Sequence, residues 1–291
     1  MITIFTPTYN RAYVLPKLYH SLCEQTSTDF EWVIVDDGST DNTITIVQSW
    51  IKENKIRIRY FYQENSGKPA AHNRGVKEAM GDLFTCVDSD DYLTNLAVET
   101  IIETWNKHQN DTIIGVLAFR KRTDNTPITM LKNNRVQSTT LRNAYKLYGL
   151  SGDTMLIYKT DVIRKFEFPC INGEKFIPEG YLYNKLDQIG ELEVLRECLY
   201  VCEYLEDGYT HNVAKNIFDN YKGYVIHINE RLKTVDRGFD KLLDSIRYDS
   251  IMIAHYEKNI VKNAVYPTLA FIGLMPAYVI AYKRYRQFMK K

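Results

Sequence analysis

Residues 1–91 alternate between apolar, strand-forming runs and segments with helical spacing, and this alternation constrains the chain more than any other feature. Residues 2–7, 31–36, 56–62 and 83–87 are rich in Ile, Val, Phe and Tyr, which favour a pleated, half-buried backbone. After the first run, Leu15, Leu18, Tyr19 and Leu22 share one helical face behind Pro16. After the second, Asp41 is placed to cap a helix whose apolar stripe is Ile44, Val47 and Ile51. A third helix is expected from Pro69 or Ala70 to Met80, with Gly81 closing it. Strands joined through helices are parallel and need cover on both faces. The reading is therefore an α/β fold, Rossmann-like, with a mainly parallel sheet.

In such sheets ligands bind beyond the carboxyl ends of the strands. Here those ends are polar: Thr6-Pro7, Asp36-Asp37, and the run Asp88-Ser89-Asp90-Asp91. If the chain is still extended where it leaves the fourth run, Asp88 and Asp90 point the same way. Two such oxygens suit a hard divalent ion, Mg²⁺ or Mn²⁺, which can bridge the phosphates of a nucleotide. Taken alone, the same letters also describe a solvated acidic turn.

The 291 residues suffice for a full core. The formal net charge of +1 argues against a dedicated nucleic-acid binder. Five scattered cysteines without metal-ligand spacing fit a reducing cytosol. Met1 leads straight into an apolar strand, so nothing suggests secretion.

Four stretches then act together: residues 5–11 (FTPTYNR), 35–41 (VDDGSTD), 65–75, and 87–91 (VDSDD). Their order and spacing resemble inverting family 2 glycosyltransferases of the GT-A fold, closely over residues 1–110 and more loosely to about 215. The resemblance implies that Thr6, Pro7 and Tyr9 line the base and ribose of a nucleotide-sugar, and that Asp36 accepts a hydrogen bond from the base, a charge-assisted contact. Asp37 is expected to stabilise the Gly38-Ser39-Thr40 turn. Lys68 faces the phosphates, and Asn73 and Arg74 complete that wall; His72 between them reads as a packed or exposed helix residue. By the same resemblance Asp88 is expected to meet the ribose, Ser89 to join the nucleotide-sugar set, and Asp90 to bind the metal. Asp91 either supports the metal from behind or caps a helix beginning near Asn95.

Inversion also needs a general base for the acceptor hydroxyl. The resemblance puts an acid near the start of a later helix, and Glu179 in residues 175–182 (KFIPEGYL) fits. Many relatives carry two adjacent acids there; this chain has Glu179-Gly180. Asp153 takes a lesser, acceptor-side role. His211 either reaches the metal or is a plain loop histidine.

The expected layout is a catalytic domain over 1–215, its acceptor side at about 110–215, and a helical extension over 216–291. Residues 120–150 read as a polar, irregular acceptor wall. In the extension, Tyr221, Tyr224, Val225 and Ile228 form one stripe. Residues 263–282 carry no formal charge, are interrupted by Pro267, Gly273 and Pro276, and precede Lys283, Arg284 and Arg286. Such a segment docks on a membrane surface, packs in the protein or a homodimer, or spans a bilayer. The functional expectation is metal-dependent, inverting transfer from a nucleotide-diphosphate sugar, a UDP-sugar in the first instance. The acceptor is a glycan or lipid-linked saccharide in surface polysaccharide synthesis, and the setting is cytoplasmic, at or near the inner face of the membrane. A sugar nucleotidyltransferase is the nearest rival, but the loop after the first strand lacks the glycines that chemistry favours. A catalytically silent glycan-binding protein on the same fold is the other.

Overall fold

The computed structural model describes residues 1–107, 110–203, 213–235 and 238–289. It opens with β1 (Ile2–Thr8), α1 (Leu15–Cys23), β2 (Phe30–Asp36), α2 (Thr43–Glu53), β3 (Ile58–Tyr62), α3 (Lys68–Glu78) and β4 (Leu83–Cys86). Next come β5 (Tyr92–Leu93), α4 (Ala97–Lys107), β6 (Ile113–Arg122), β7 (Met130–Leu131), β8 (Ser138–Thr139), α5 (Leu141–Lys146) and β9 (Leu150–Ser151). They are followed by β10 (Thr154–Lys159), α6 (Thr160–Ile163), α7 (Gly180–Leu186) and β11 (Glu191–Cys202). Then follow α8 (Val213–Asp219), α9 (Tyr221–Thr234), α10 (Gly238–Ala254), α11 (Ile260–Asn263) and α12 (Pro267–Tyr285).

The main sheet runs β3-β2-β1-β4-β10-β6-β11-β5. β3, β2, β1 and β4 are mutually parallel, as are β6 and β11. Within this sheet, among the described residues, only β10, β5 and the edge piece β8 run against their neighbours. Because β10 is reversed, its first residue, Thr154, opens at the rim where β4 and β6 end. Thr8 lies opposite Asp36, and Phe5 opposite Cys86. Asp36 and the acids beyond β4 therefore emerge at one edge.

Helices cover both faces of this sheet. On one side the rings of Tyr19 and Trp50 stack with Trp32 and with each other, the latter pair 4.3 Å apart, in a cluster that also holds Leu18, Val47 and Ile101. Truncating a buried aromatic such as Trp32 to alanine would cost about 3–5 kcal/mol. On the other side α3 lays His72 edge-on to Phe5 and Phe84. Gly81 serves a different purpose from the one its position suggests. α3 already ends at Glu78, where the Ala79 N–H reaches Gly75 O. A Cβ on Gly81 would lie 2.5 Å from Thr3 N, so glycine is needed for close approach to β1.

Residues 120–150 hold more order than their polarity suggests. β7 pairs with β9, and α5 is capped by Thr140, whose Oγ1 accepts from Asn143 N at 3.2 Å. Asp187 takes the N–H groups of Leu141 and Arg142 at 2.9 and 2.8 Å. All five cysteines are free thiols.

The chain divides into two compact units. One contains Met1–Glu167 and the chain from Lys185 through β11; the other contains Phe168–Asn184 and the helices from α8 onward. In the second, Tyr224, Ile228, Leu232, Tyr248, Ile251 and Tyr285 form the core. α12 is continuous, with Pro267 in its first turn and Pro276 inside it. Ala270, Gly273, Ala277, Ala281 and Tyr285 are its buried positions, and a Cβ on Gly273 would stand 2.9 Å from Asp249 Oδ2 of α10. Asp249 is fully buried, and neither carboxyl oxygen has a hydrogen-bond partner among the described residues. Burial pushes its carboxyl up to about 7. The opposite face of α12 exposes Phe271, Met275, Tyr278 and Tyr282. No helix among the described residues is long and apolar enough to cross a membrane.

Candidate active site

The rim at the carboxyl ends of β1, β2 and β4 is built from three loops tied by side chains. After β1, Asn10 adopts a left-handed φ of +53°. Its Oδ1 takes Thr40 N at 2.7 Å, while its own N–H reaches Ser39 Oγ at 2.8 Å. Asp41 completes the seam by accepting Ala12 N at 3.0 Å and Thr43 N at 3.0 Å. This fixes Tyr9 at the edge, where it is 49% exposed. Thr6, however, is turned inward, and its Oγ1 accepts from Trp32 Nε1 at 3.0 Å. Only Pro7 and Tyr9 of the expected set therefore remain open at this edge, because β1 is buried on both faces through Thr6.

The turn expected to rest on Asp37 is held by Asp36 instead. Asp36 is fully buried; its Oδ1 accepts Ser39 N at 2.7 Å and its Oδ2 accepts the Tyr60 hydroxyl at 2.6 Å. It is thus Asp36 that holds the Gly38-Ser39-Thr40 turn, with help from β3. Asp37 reaches across to the next loop, accepting Gln63 Nε2, Ser66 N and Gly67 N at 2.7, 2.9 and 2.7 Å. Gly67, with φ of +91°, then starts α3 and sets Lys68 at its first position. Arg74 is turned away, with Nε 3.0 Å from Glu78 Oε1 and its guanidinium over Phe61. Asn73 lies half-buried on α3.

β4 ends at Cys86, and the acids sit on a turn closed by Asp91 N to Asp88 O at 3.1 Å. The chain is therefore not extended there, and the strand alternation that would aim Asp88 and Asp90 alike does not apply. Proximity does the work instead. Burial, followed by the charge of Asp88, raises the Asp90 carboxyl. Lys68 Nζ lies 2.7 Å from Asp88 Oδ1, and Arg11 adds a second positive charge toward Asp90. Ser89 is buried.

Beneath the turn lies a buried layer that the sequence did not single out. Tyr200 accepts Asp88 N at 3.0 Å and donates to Asp91 Oδ2 at 2.7 Å. Asp91 Oδ1 takes Glu203 N at 2.9 Å. Burial first, and then the charge of Asp88, push the Asp91 carboxyl up to about 7. The Arg120 guanidinium stacks 3.9 Å from the Tyr200 ring centre. Asp91 thus anchors the turn from below, and the cap it might have given α4 is not its role. The signals for these partners were a charged residue ending the apolar run at Arg120 and a tyrosine inside the strand at Tyr200.

Asp153 is exposed and immediately precedes β10, on the same rim. Glu179 belongs to the other unit. It is exposed, its carbonyl accepts Tyr183 N at 3.2 Å at the start of α7, and its Oε2 takes the Tyr183 hydroxyl at 3.3 Å. His211 lies outside the described residues. A separate cavity lined by Phe30, Ile51, Arg57 and Ile58 sits at the opposite ends of the strands, away from the acids.

Residues 3–166 match the family described as Glycosyl transferase family 2. The chain belongs to that family. Among relatives, this glycosyltransferase is 26% identical over 263 residues to the GalNAc(5)-diNAcBac-PP-undecaprenol beta-1,3-glucosyltransferase of Campylobacter jejuni, covering 88% of this chain and 82% of that one. It is 31% identical over 191 residues to the poly(ribitol-phosphate) beta-N-acetylglucosaminyltransferase TarS of Staphylococcus aureus, covering 62% of this chain but only 32% of TarS. The crystal structure of TarS 1–349 with UDP-GlcNAc superposes with a TM-score of 0.66 at 17% identity, over 98% of this chain and 91% of that one. A mannosyltransferase from Pyrobaculum calidifontis, solved with GDP-Man and Mn²⁺, superposes with a TM-score of 0.57 at 16% identity, over 99% of this chain and 82% of that one. These likenesses establish the GT-A fold.

Among the described residues no three metal-ligating side chains come together. Mg²⁺-type ions, however, are usually held by one or two carboxylates plus substrate phosphates, without an all-protein cage. The Asp88–Asp90 pair, whose like charges repel, fits an ion shared with a diphosphate.

Proposed function

We propose that this glycosyltransferase moves a hexosyl or N-acetylhexosaminyl group, with inversion, from a UDP-sugar to a glycan or lipid-linked acceptor in surface polysaccharide synthesis. The observation that carries the reading is the gathering of an exposed tyrosine, a lysine at a helix start and a carboxylate turn on one rim. Tyr9 and Pro7 receive the base and ribose, on the side where Asp36 and Asp37 brace the loops. Lys68, with Asn73 along the same helix, draws the diphosphate, since an ammonium at a helix start favours phosphate. Asp88 and Ser89 face the ribose side, and Asp90 holds the divalent ion with Asp91 behind it. When bound, that ion supplies charge neutralisation to the departing diphosphate. Glu179 takes the proton from the acceptor hydroxyl as its oxygen attacks the anomeric carbon, and the bond from that carbon to the diphosphate breaks. Asp153 orients the acceptor.

The UDP preference is supported by the named ligand of the TarS structure, and a lipid-linked acceptor by the name of the Campylobacter relative. Docking on the inner face of the cytoplasmic membrane is supported by the exposed aromatic and aliphatic face of α12, next to Lys283, Arg284 and Arg286.

The test is a panel of UDP-glucose, UDP-galactose, UDP-GlcNAc and UDP-GalNAc with Mn²⁺, scored for UDP release. At least one donor is expected to be hydrolysed, and EDTA to stop it. Equal turnover with EDTA would remove the metal from the proposal, and binding of UDP with no turnover of any donor would favour the silent reading.

A further inference from the structure

The segment that carries Glu179 is fastened to α9 by a reciprocal set of caps. Asn220 stands at the N-cap position of α9, yet its side chain makes no cap bond to its own helix. Its Oδ1 instead accepts Lys175 N at 2.7 Å and Phe176 N at 3.1 Å. In return Glu174 caps α9: Oε1 takes Lys222 N at 3.0 Å and Oε2 takes Gly223 N at 2.8 Å. The first turn of a helix leaves its N–H donors unpaired, so Glu174 satisfies groups at the start of α9 that would otherwise need water, and Asn220 does the same for two N–H groups of the loop.

The fit continues up the same face of the helix. A Cβ on Gly223 would meet Phe176 O and Ile177 Cγ1, each at 2.7 Å, so only glycine admits the segment this closely. One turn further, His227 is buried, and its ring lies 3.0 Å from where a Cβ on Gly180 would stand. Positions 220, 223 and 227 are spaced by three and four, which puts them on one helical stripe. A side chain at Gly180 would press against the imidazole, so glycine gives the segment its closest approach to α9 here.

We propose that α9 is the positioning platform for Glu179, with Asn220, Glu174, Gly223 and His227 as positioning residues that act through it. The proposal rests on the reading of Glu179 as the general base. It makes the C-terminal helices part of the machinery of transfer and not only a docking element. A base displaced by about 1 Å loses on the order of a hundredfold in rate.

The experiment combines exchange and kinetics. Asn220→Ala is expected to speed hydrogen–deuterium exchange at residues 174–183, while Asn220→Asp, which keeps the acceptor, stays close to wild type. UDP release from whichever UDP-sugar of the panel is turned over should fall roughly ten- to a hundredfold in kcat for Asn220→Ala, with the donor KM and UDP affinity unchanged. In the Glu179→Gln background the same substitution should add no further loss. Glu174→Gln is read in the same way and stands in should Asn220→Ala not fold. Unchanged exchange at 174–183, or losses that simply multiply in the double variant, would overturn the platform. Full turnover by Glu179→Gln alone would instead remove the base assignment, and the exchange result would still decide whether α9 holds the segment.

Discussion

Lys68 Nζ stands 2.7 Å from Asp88 Oδ1 at the mouth of the sheet, so a side-chain cation already shares the carboxylates expected to meet a metal-bound donor. A lysine is a mobile point charge and can pass from carboxylate to phosphate. Lys68→Gln is therefore expected to weaken UDP binding by about 1.5–3 kcal/mol, the range for a charged hydrogen bond. Without nucleotide, the same change should tighten Mn²⁺ binding, because Asp88 loses its competitor. Titration calorimetry with each ligand separates the two effects, and an unchanged Mn²⁺ affinity would rule out the competition.

Tyr9 offers an open ring, held in place by the Asn10 seam. Stacking of a base on an aromatic side chain contributes about 1–3 kcal/mol by alanine substitution. Tyr9→Ala should weaken UDP by that amount and Tyr9→Phe hardly at all. Equal affinity of all three proteins would move the base elsewhere on the rim.

Asp249 makes the stability of the helical unit depend on pH. Its folded carboxyl is raised to about 7 from an ordinary value of 3.8, so the folded state binds the proton more tightly than the unfolded state does. The sign follows: stability is full below the unfolded value, falls as pH climbs through the window up to about 7, and is level above it. Each tenfold gain in proton affinity is worth about 1.4 kcal/mol, so the loss across the window is on the order of 4 kcal/mol at most. Asn at this position would flatten the dependence. Thermal melts of wild type and Asp249→Asn across that window give the answer, and parallel curves would refute it.

The exposed face of α12 predicts vesicle binding. Met275 is 83% exposed and Phe271 69%, with Lys283 and Arg284 in the last turn. The wild-type chain should float with vesicles containing anionic phosphatidylglycerol, and Phe271→Glu/Met275→Glu should not, while UDP release in solution stays the same. If the wild type fails to float, the face serves something other than lipid.

Much of this architecture was legible because strand-to-helix alternation is a local signal. Leu15, Leu18, Tyr19 and Leu22 all proved buried, and the rim location of Asp36, Asp88 and Asp90 followed from topology alone. What escaped were pairings across long stretches of chain. Asp36 accepts from Ser39 and Tyr60, and Tyr60 comes from a strand with no motif of its own. Thr6 could not be oriented by alternation because β1 is buried on both faces up to that residue. Asp91 stood open between supporting the metal and capping a helix because Tyr200, its partner, is far away in sequence. Spacing cannot report a hydroxyl that arrives from another strand.

The chain leaves the sheet-bearing unit at Phe168 and rejoins it at Lys185. A protein severed after β11 would keep every described strand and the candidate donor contacts, yet its excursion would be left without the helices that receive it. Shortening this enzyme from its end is therefore not the trimming of an ornament: the damage would surface in a stretch encoded well upstream of the cut.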